Sequence, residues 1–219
     1  MIQNKVEMRA VVAPVFNEPD TWRDICLQLQ HYFDCIVVVD DGSDEPLRYM
    51  QSDPFTVLRH TQNHGKGTAL ETGFRYCLAQ GATTLASIDT DGEHDPRNFK
   101  EVLKRPLKAD LVNFSRAEFF GNYGFYRRNR NQLISRFLSN KWDKDLLDSQ
   151  SGMRLFSARA VRAFLKEGLP AGYAVETAML EILSKEGFSV TELPMAFEGE
   201  VRNGKKYSSL GAFFKDFMA

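Results

Sequence analysis

Three carboxylates within a stretch of five residues could together bind a divalent cation. Asp89, Asp91 and Glu93 follow a short apolar run at residues 85–88, which is typical of a buried strand. Carboxylates this close repel one another and are costly to bury, whereas Mg²⁺ or Mn²⁺ binds oxygen ligands and relieves the repulsion. Such an ion commonly keeps positions that substrate phosphates fill. The cluster therefore predicts a Mg²⁺ or Mn²⁺ site for a phosphorylated substrate. The alternative is a solvated acidic turn that caps a helix beginning near Pro96.

Two further polar segments follow predicted strands and could join this cluster. Residues 14–18 (Pro-Val-Phe-Asn-Glu) end one strand, and residues 40–44 (Asp-Asp-Gly-Ser-Asp) end the next. In doubly wound α/β sheets, ligands bind beyond the carboxyl ends of the strands. The sequence therefore predicts one site that is built from three strand ends. It has neither a P-loop nor a G-x-G-x-x-G motif after the first strand, which argues against kinases and NAD-dependent dehydrogenases.

The hydrophobic pattern of the chain alternates between strands and helices. The apolar run at residues 35–39 is typical of a central parallel strand, and the apolar spacing within residues 19–33 is typical of an amphipathic helix. This alternation predicts an α/β fold with a Rossmann-like, doubly wound, mostly parallel sheet and helices on both faces. The predicted strands cover residues 9–15, 35–39, 55–58, 84–88 and 110–114, and the predicted helices cover residues 19–33, 67–80, a segment from Pro96, and 125–142.

The composition is that of an ordinary globular protein. Of the 219 residues, 43% are hydrophobic and 26% are charged, and the net charge of −1 gives no electrostatic reason to expect nucleic acid as a partner. The three cysteines stand in apolar surroundings and are expected to be reduced. We see no secretory signal and no apolar run near the ~20 residues that a membrane span needs. The sequence therefore predicts a cytoplasmic protein that could still dock on a membrane surface.

Five motifs in order resemble those of the family 2 glycosyltransferases with the GT-A fold. Besides residues 14–18 and 40–44, they are residues 63–69 (Asn-His-Gly-Lys-Gly-Thr-Ala), 89–96 (Asp-Thr-Asp-Gly-Glu-His-Asp-Pro) and 151–154 (Ser-Gly-Met-Arg). The resemblance covers almost the whole chain. It is closest to the polyprenyl-phosphate sugar transferases of the dolichol-phosphate mannose type.

This resemblance implies metal-dependent transfer of a sugar, with inversion, from a nucleotide diphosphate sugar to a polyprenyl phosphate. It implies a single GT-A domain over residues 1–219, in which residues 1–95 bind the nucleotide sugar and residues 96–219 bind the acceptor and include a C-terminal tail. The main alternative is a soluble family 2 transferase that acts on a polysaccharide or another hydroxyl acceptor. A sugar-1-phosphate nucleotidylyltransferase and a non-catalytic nucleotide-sugar-binding module are weaker alternatives, since the first should carry a Gly-rich basic loop after the first strand.

The resemblance also implies roles on the donor side. The cation would be held by Asp89, Asp91 and Glu93, although the family usually has glutamine where this chain has Glu93. Asp40 and Asp41 could instead serve as turn and capping residues, and Lys66 could be a solvated lysine. The implied nucleotide contacts are Pro14, Val15, Glu18, Asp40, Asp41, Lys66 and Asp89.

On the acceptor side, the resemblance implies that an arginine near a strand end, together with an arginine–serine pair on the next helix, holds the acceptor phosphate. Asn131 stands where the family has the arginine of that pair, so a solvated arginine-rich helix is the alternative. A hydroxyl acceptor would need a general base, for which Asp148 and Glu176 are candidates, whereas an ionised phosphate needs none. The implied acceptor contacts are Arg116, Arg130, Ser135 and Lys205, and the implied catalytic residues are Asp91, Asp148, Glu176 and Arg202.

Peripheral contact with the inner face of a membrane and a homodimer are left open by the sequence. Aromatic residues interleave with arginines between residues 116 and 136, and the tail at residues 210–218 carries three phenylalanines at helical spacing. Aromatic and basic side chains together suit a lipid–water interface. The same tail could equally pack on the domain or mediate self-association.

Overall fold

Seven strands form one sheet in the computed structural model, which describes residues 7–18, 21–118, 125–142, 145–172 and 174–196, without the side chains of residues 125–127 and 130. The predicted strands are confirmed to within one or two residues at each end, and two strands late in the chain were not predicted. In chain order the strands are β1 (Arg9–Val15), β2 (Cys35–Asp40), β3 (Thr56–Arg59), β4 (Thr84–Ser87), β5 (Leu111–Ser115), β6 (Arg154–Ser157) and β7 (Val190–Pro194).

The sheet is mostly parallel, as predicted, and its spatial order is β3-β2-β1-β4-β6-β5-β7. Strands β1, β2, β3 and β4 run parallel to one another, and β5 runs parallel to β7. Strand β6 is antiparallel to both of its neighbours, β4 and β5. Because β6 runs in the opposite direction, the residues that precede it lie at the edge where β4 and β5 end. This single reversal determines which segments meet at the candidate site.

Helices cover both faces of the sheet. Helix α4 has the predicted bounds, whereas α1 ends earlier than predicted because the amides of Tyr32 and Phe33 both turn back to donate to the Leu29 carbonyl. Helices α5 and α6 were not predicted. The helices are α1 (Thr21–Leu29), α2 (Lys66–Ala79), a 3-10 turn (Pro96–Asn98), α3 (Phe99–Val102), α4 (Phe125–Trp142), α5 (Ala158–Glu167) and α6 (Val175–Lys185).

Alternation along β1 produces two apolar layers. Val11 and Ala13 face α1 and α3, where they pack among buried side chains that include Trp22. Ala10 and Val12 face the opposite layer, which is formed with α2, α4, α5 and α6. Each fully buried large apolar side chain contributes roughly 1.5–3 kcal/mol, so these two layers hold the sheet rigidly enough to position its edge.

No helix within the described ranges has both the length and the apolar character needed to cross a bilayer.

Candidate active site

The candidate site lies at the edge of the sheet where β1, β2 and β4 end. Val15 at the end of β1 is in register with Asp40 at the end of β2, and the β1–β4 pairing ends with Val12 opposite Ser87. The three polar segments that follow these strands therefore share one edge. Pro14 is half-buried and Val15 is buried, and Glu18 is half-buried beyond the end of β1.

The carboxylates of Asp40 and Asp41 are buried and saturated with hydrogen bonds. Asp40 forms an ion pair with Arg59 and accepts a hydrogen bond from the amide of Ser43 at 2.9 Å. Asp41 accepts from the amides of His64 and Gly65 at 3.0 and 2.7 Å. The structure therefore shows the turn and capping chemistry that the sequence left as the alternative for this pair. Contact of either residue with a nucleotide stays a prediction.

Asp41 also orients His60, a residue that the sequence did not single out. The Asp41 Oδ1 atom lies 2.6 Å from His60 Nδ1, and His60 Nε2 lies 2.9 Å from the hydroxyl of Thr72. These contacts connect the end of β2 to α2. The start of α2 is thereby fixed relative to the edge of the sheet, and with it Lys66.

Lys66 lies between two carboxylates rather than in solvent. Its ammonium is 2.5 Å from Asp89 Oδ1 and 2.5 Å from Glu176 Oε1. Burial favours a lower pKa for Lys66, but the negative charges of Asp89 and Glu176 outweigh burial and raise that pKa above its usual value. The same contact acts on Asp89: burial opposes ionisation, yet the charge of Lys66 lowers the pKa of Asp89 to about 2. Lys66 is therefore a fixed positive charge at the edge.

The neighbourhood of Glu176 depends on close backbone contact at the start of α2. The amide of Gly67 donates to the carbonyl of Ala171 at 3.2 Å, and a Cβ atom on Gly67 would lie 1.9 Å from the Pro170 carbonyl oxygen. Glycine is needed here because any side chain would push these segments apart. The contact brings the start of α6, and so Glu176, against Lys66.

Asp91 differs from its acidic neighbours because no basic side chain lies in hydrogen-bond contact with it within the described residues. It accepts a hydrogen bond from the amide of Glu93 at 3.0 Å. Burial and the negative charges of Asp89 and Glu93 raise the pKa of Asp91 to about 6. Asp91 therefore holds negative charge that its surroundings disfavour, and a bound cation would relieve this.

Glu93 and Arg116 form a buried network with Asp148. The guanidinium of Arg116 lies 2.8 Å from Asp148 and 3.3 Å from Glu93 Oε2, and it also donates to the Gln150 carbonyl at 2.7 Å. Although burial opposes ionisation of Asp148, the charge of Arg116 outweighs it and lowers the pKa of that carboxyl. Arg116 is only 4% exposed, so its guanidinium already serves two carboxylates inside the fold. Its contact with an acceptor phosphate stays a prediction.

The remaining acceptor-side residues divide between described and undescribed parts of the chain. Ser135 is buried, and its hydroxyl accepts from the amide of Ser149 at 2.9 Å. Asn131 is also buried, on the inward face of α4. The side chain of Arg130 and the whole of Arg202 and Lys205 lie outside the described residues, as does the tail at 210–218.

His94, which belongs to the motif at residues 89–96, is buried within the fold. It is 2% exposed, and within the described residues neither ring nitrogen has a hydrogen-bond partner. Burial and the charge of Arg116 lower the pKa of His94 to about 3, so the ring is neutral at ordinary pH. The hydroxyl of Thr90 in the same loop also has no partner within these residues. Buried polar atoms without partners mark this loop as incomplete without a ligand or water.

The three clustered carboxylates of the acidic loop do not cap the helical turn that begins at Pro96. Asp95 provides that cap, because its carboxylate accepts from the amide of Arg97 at 2.9 Å. Asp89, Asp91 and Glu93 therefore take no part in this cap, and Asp89 and Glu93 form ion pairs instead, which weakens the alternative of a solvated acidic turn.

The donor set fits a cation that is shared with a substrate. Within the described ranges, no three side chains of the His, Cys, Asp or Glu type converge to form a complete metal site. Asp89 and Glu93 form ion pairs with Lys66 and Arg116, whereas Asp91 has no basic side chain in hydrogen-bond contact within the described residues. Mg²⁺ is commonly held by one or two carboxylates plus substrate phosphates rather than by an all-protein cage, so this arrangement suits it.

Comparisons with known proteins agree with this geometry. The family model described as Glycosyl transferase family 2 matches residues 10–165. The chain is 25% identical over 210 residues to the UDP-N-acetylglucosamine–dolichyl-phosphate N-acetylglucosaminyltransferase of Methanococcus voltae, covering 84% of this chain and 83% of the relative. It is 27% identical over 205 residues to the polyprenol monophosphomannose synthase of Mycolicibacterium smegmatis, covering 85% of this chain and 76% of the relative.

Solved structures confirm the GT-A fold. The glucosyl-3-phosphoglycerate synthase of Mycobacterium tuberculosis, crystallised with Mn²⁺, UDP and glucosyl-3-phosphoglycerate, superposes with a TM-score of 0.70 at 18% identity, covering 96% of this chain and 76% of that one. The predicted resemblance is therefore confirmed at the level of family and fold. From the match over residues 10–165, the chain belongs to glycosyl transferase family 2.

Proposed function

We propose that this chain is an inverting, metal-dependent glycosyltransferase that moves a sugar from a nucleoside diphosphate sugar to a polyprenyl phosphate. The observation that carries the proposal is the acidic edge after β4, where Asp91 is held beside Asp89 and Glu93 with a raised pKa of about 6. This is the edge at which α/β sheets bind nucleotides. The polyprenyl acceptor is supported by the relatives, which are named for dolichyl phosphate and polyprenol.

Asp91, with Asp89 and Glu93, would hold the Mg²⁺ or Mn²⁺. A bound dication supplies positive charge that stabilises the departing nucleoside diphosphate. Lys66 adds a second positive charge at the same edge, since it is fixed between Asp89 and Glu176. Arg202 and Lys205 stay predicted contributors from the late part of the chain.

A phosphate acceptor is supported by the hydrogen bonds and ion pairs that already engage the two candidate general bases, Asp148 and Glu176. Asp148 is fully buried and accepts hydrogen bonds from the backbone amide and the guanidinium of Arg116, which makes it a weak proton acceptor. Glu176 is engaged by Lys66. A phosphate is already ionised near neutral pH and needs neither residue, whereas a hydroxyl acceptor would need one of them released.

A hydroxyl acceptor is the second candidate function. The observation that favours it is Asn131, which is buried on α4 where the resemblance leads us to expect an arginine for the acceptor phosphate. Location in the cytoplasm at the inner face of a membrane, and any homodimer, stay predictions under either function.

The decisive experiment combines a donor screen with partitioning of the product. Labelled UDP-sugars and GDP-sugars are incubated with Mn²⁺ and a polyprenyl phosphate, and the label that enters organic solvent is counted. We expect Asp91→Ala to lower this transfer by roughly a thousandfold or more, because the leaving diphosphate loses its stabilising charge.

Asp95→Ala is the matched control, because Asp95 lies in the same loop but caps the 3-10 turn. It should retain most of the transfer, and circular dichroism should show both variants folded. Full turnover of the wild type in a metal chelator would contradict the metal-dependent mechanism. Label that stays in a water-soluble glycan would favour the hydroxyl acceptor.

A further inference from the structure

Because Gly152 has no side chain, the Asp89 carboxylate can occupy the space beside its Cα atom. A Cβ atom built on Gly152 would lie 2.1 Å from Asp89 Oδ2, 2.3 Å from Cγ and 2.5 Å from Oδ1. These distances are far shorter than any van der Waals contact between such atoms. The φ angle of Gly152 is not among the positive values found at other glycines of the chain. Glycine is therefore required here by the neighbouring carboxylate and not by the backbone conformation.

The backbone at Gly152 has little freedom to retreat. Its carbonyl accepts a hydrogen bond from the hydroxyl of Ser87 at 3.1 Å. Two residues later the chain enters β6, where Arg154 pairs with Ser87 of β4. On the other side of the carboxylate, the ammonium of Lys66 lies 2.5 Å from Asp89 Oδ1. The Asp89 carboxylate therefore lies next to both the Lys66 ammonium and the backbone of Gly152.

The segment that contains Gly152 also supports the far end of the acidic loop. Asp148 and the Gln150 carbonyl both bind the guanidinium of Arg116, which in turn reaches Glu93. Residues 148–152 therefore contact the loop at both ends, once by packing and once through a buried ion pair. A segment from the acceptor half of the chain consequently shapes a loop of the donor half.

We propose that Gly152 is a positioning residue that fixes the Asp89 carboxylate against Lys66 and so sets the geometry of the acidic edge. The inference rests on the proposed function, because the position of Asp89 matters for catalysis only if this edge binds the diphosphate and its cation. The steric relation between Gly152 and Asp89 holds whatever binds there. Two separate measurements therefore test the contact and its role.

A double-mutant cycle tests the contact. Gly152→Ala should lower the melting temperature by roughly 4–8 °C in the wild-type background, because the new methyl group overlaps the carboxylate. In the Asp89→Ala background the overlap is gone, so the same substitution should change the melting temperature by only about 1 °C. Gly73→Ala is the control, since its Cβ meets the side chain of Val12 and should lower the melting temperature equally in both backgrounds. Equal losses from Gly152→Ala in the two backgrounds would overturn the proposal.

Nucleotide binding tests the role. The dissociation constants of UDP and GDP in the presence of Mn²⁺ are measured by calorimetry for the wild type, Gly152→Ala and Gly73→Ala. We expect the nucleotide that the wild type prefers to bind Gly152→Ala on the order of ten- to a hundredfold more weakly, and Gly73→Ala about equally well. If the effect of Gly152→Ala on the melting temperature depends on Asp89 but Gly152→Ala binds the nucleotide as tightly as the wild type, the positioning role is overturned. A wild type that binds no nucleoside diphosphate, with ADP, CDP and dTDP also tested, would overturn the proposed function, and with it that role, while the cycle would still show the contact.

Discussion

Two acidic segments at the same edge of the sheet differ in how the fold treats their charge. After β2, Asp40 and Asp41 are 1% and 3% exposed, and they accept hydrogen bonds from a guanidinium, backbone amides and a histidine. After β4, Asp89 forms an ion pair with a lysine and Glu93 forms one with an arginine. Asp91 accepts a hydrogen bond from a backbone amide, and its pKa is raised. Both segments look alike in the sequence. The carboxylates of the first segment are neutralised within the fold, whereas the second segment contains Asp91, whose negative charge its surroundings disfavour.

The difference arises from the donors that each segment meets. The turn after β2 packs against the loop before α2, which supplies the amides of His64 and Gly65. The loop after β4 contacts Lys66 and Arg116. Lys66 also forms an ion pair with Glu176, and Arg116 forms one with Asp148. Charges that are balanced by ion pairs and hydrogen bonds contribute to the stability of the fold. Buried charges without such partners reduce that stability and favour the binding of an oppositely charged ligand. The same substitution should therefore have opposite effects in the two segments.

The largest effect is expected from Asp41→Asn. The amide nitrogen of asparagine cannot accept the hydrogen bond that Gly65 donates, and the charge that strengthens the other contacts is lost. We expect the free energy of unfolding to fall by about 3 kcal/mol, measured by chemical denaturation. Asp44→Asn is the matched control, because Asp44 is exposed and contacts Asn17, and it should change stability by less than about 0.5 kcal/mol. Equal stability of Asp41→Asn and wild type would refute a structural role for this segment.

An intermediate effect is expected from Lys66→Met. The ammonium of Lys66 competes with any dication for Asp89, so its removal should tighten Mn²⁺ binding to the nucleotide-free protein. We expect a gain of about three- to tenfold, measured by calorimetry or by electron paramagnetic resonance of free Mn²⁺. Lys141→Met on α4, which removes a lysine paired with Glu181, should leave Mn²⁺ binding unchanged. Unchanged or weaker Mn²⁺ binding by Lys66→Met would contradict this competition for Asp89.

The smallest effect is expected from Asp91→Asn, and its sign is opposite to that of Asp41→Asn. The pKa of Asp91 rises from 3.8 to about 6 in the folded state, so the contribution of protonated Asp91 to stability is fully present below pH 3.8 and is lost as pH rises through about 6. Asparagine does not ionise, so the Asp91→Asn variant should not lose this contribution as pH rises. Because Asp91 is partly exposed, we expect a gain of only about 1 kcal/mol at pH 7.5 and none near pH 4.

Denaturation of the wild type and Asp91→Asn between pH 4 and pH 8 measures this gain. A gain of the same size at both ends of that range would mean that the ionisation of Asp91 is not its cause. A loss of stability at pH 7.5 would place Asp91 with Asp41 among the structural carboxylates.

Much of the fold could be predicted from the sequence because its first half has strong local patterns. The bounds predicted for β1 and α4 agree with the structure, and β2 to β5 are displaced by one or two residues at most. Strand β6 could not be predicted because it begins with Arg154, a residue type that is usually solvated. Arg154 is buried because Asn113 and the carbonyls of Ser149 and Glu176 accept its hydrogen bonds. These partners come from separate parts of the chain, so local pattern contains no sign of them.

The candidate site, like the fold, could be predicted only in part from the sequence. The acidic motif was evident from spacing alone, but the sequence did not show how the charges of Asp89, Asp91 and Glu93 are balanced. Their different states depend on Lys66 and Arg116, which are distant in the chain. Gly152 stood within a recognised motif, yet a glycine in a motif does not reveal which side chain needs its space.

By itself the sequence determined the order of strands and helices as far as α4, the family, and the concentration of carboxylates at one edge, because these follow from local periodicity and motif spacing. Only the tertiary structure decided which carboxylates are neutralised, which one stays charged against its surroundings, and which glycine makes room for them. Charge balance and steric fit depend on distances between segments that the reversal of β6 brings together, and no local pattern of residues specifies those distances.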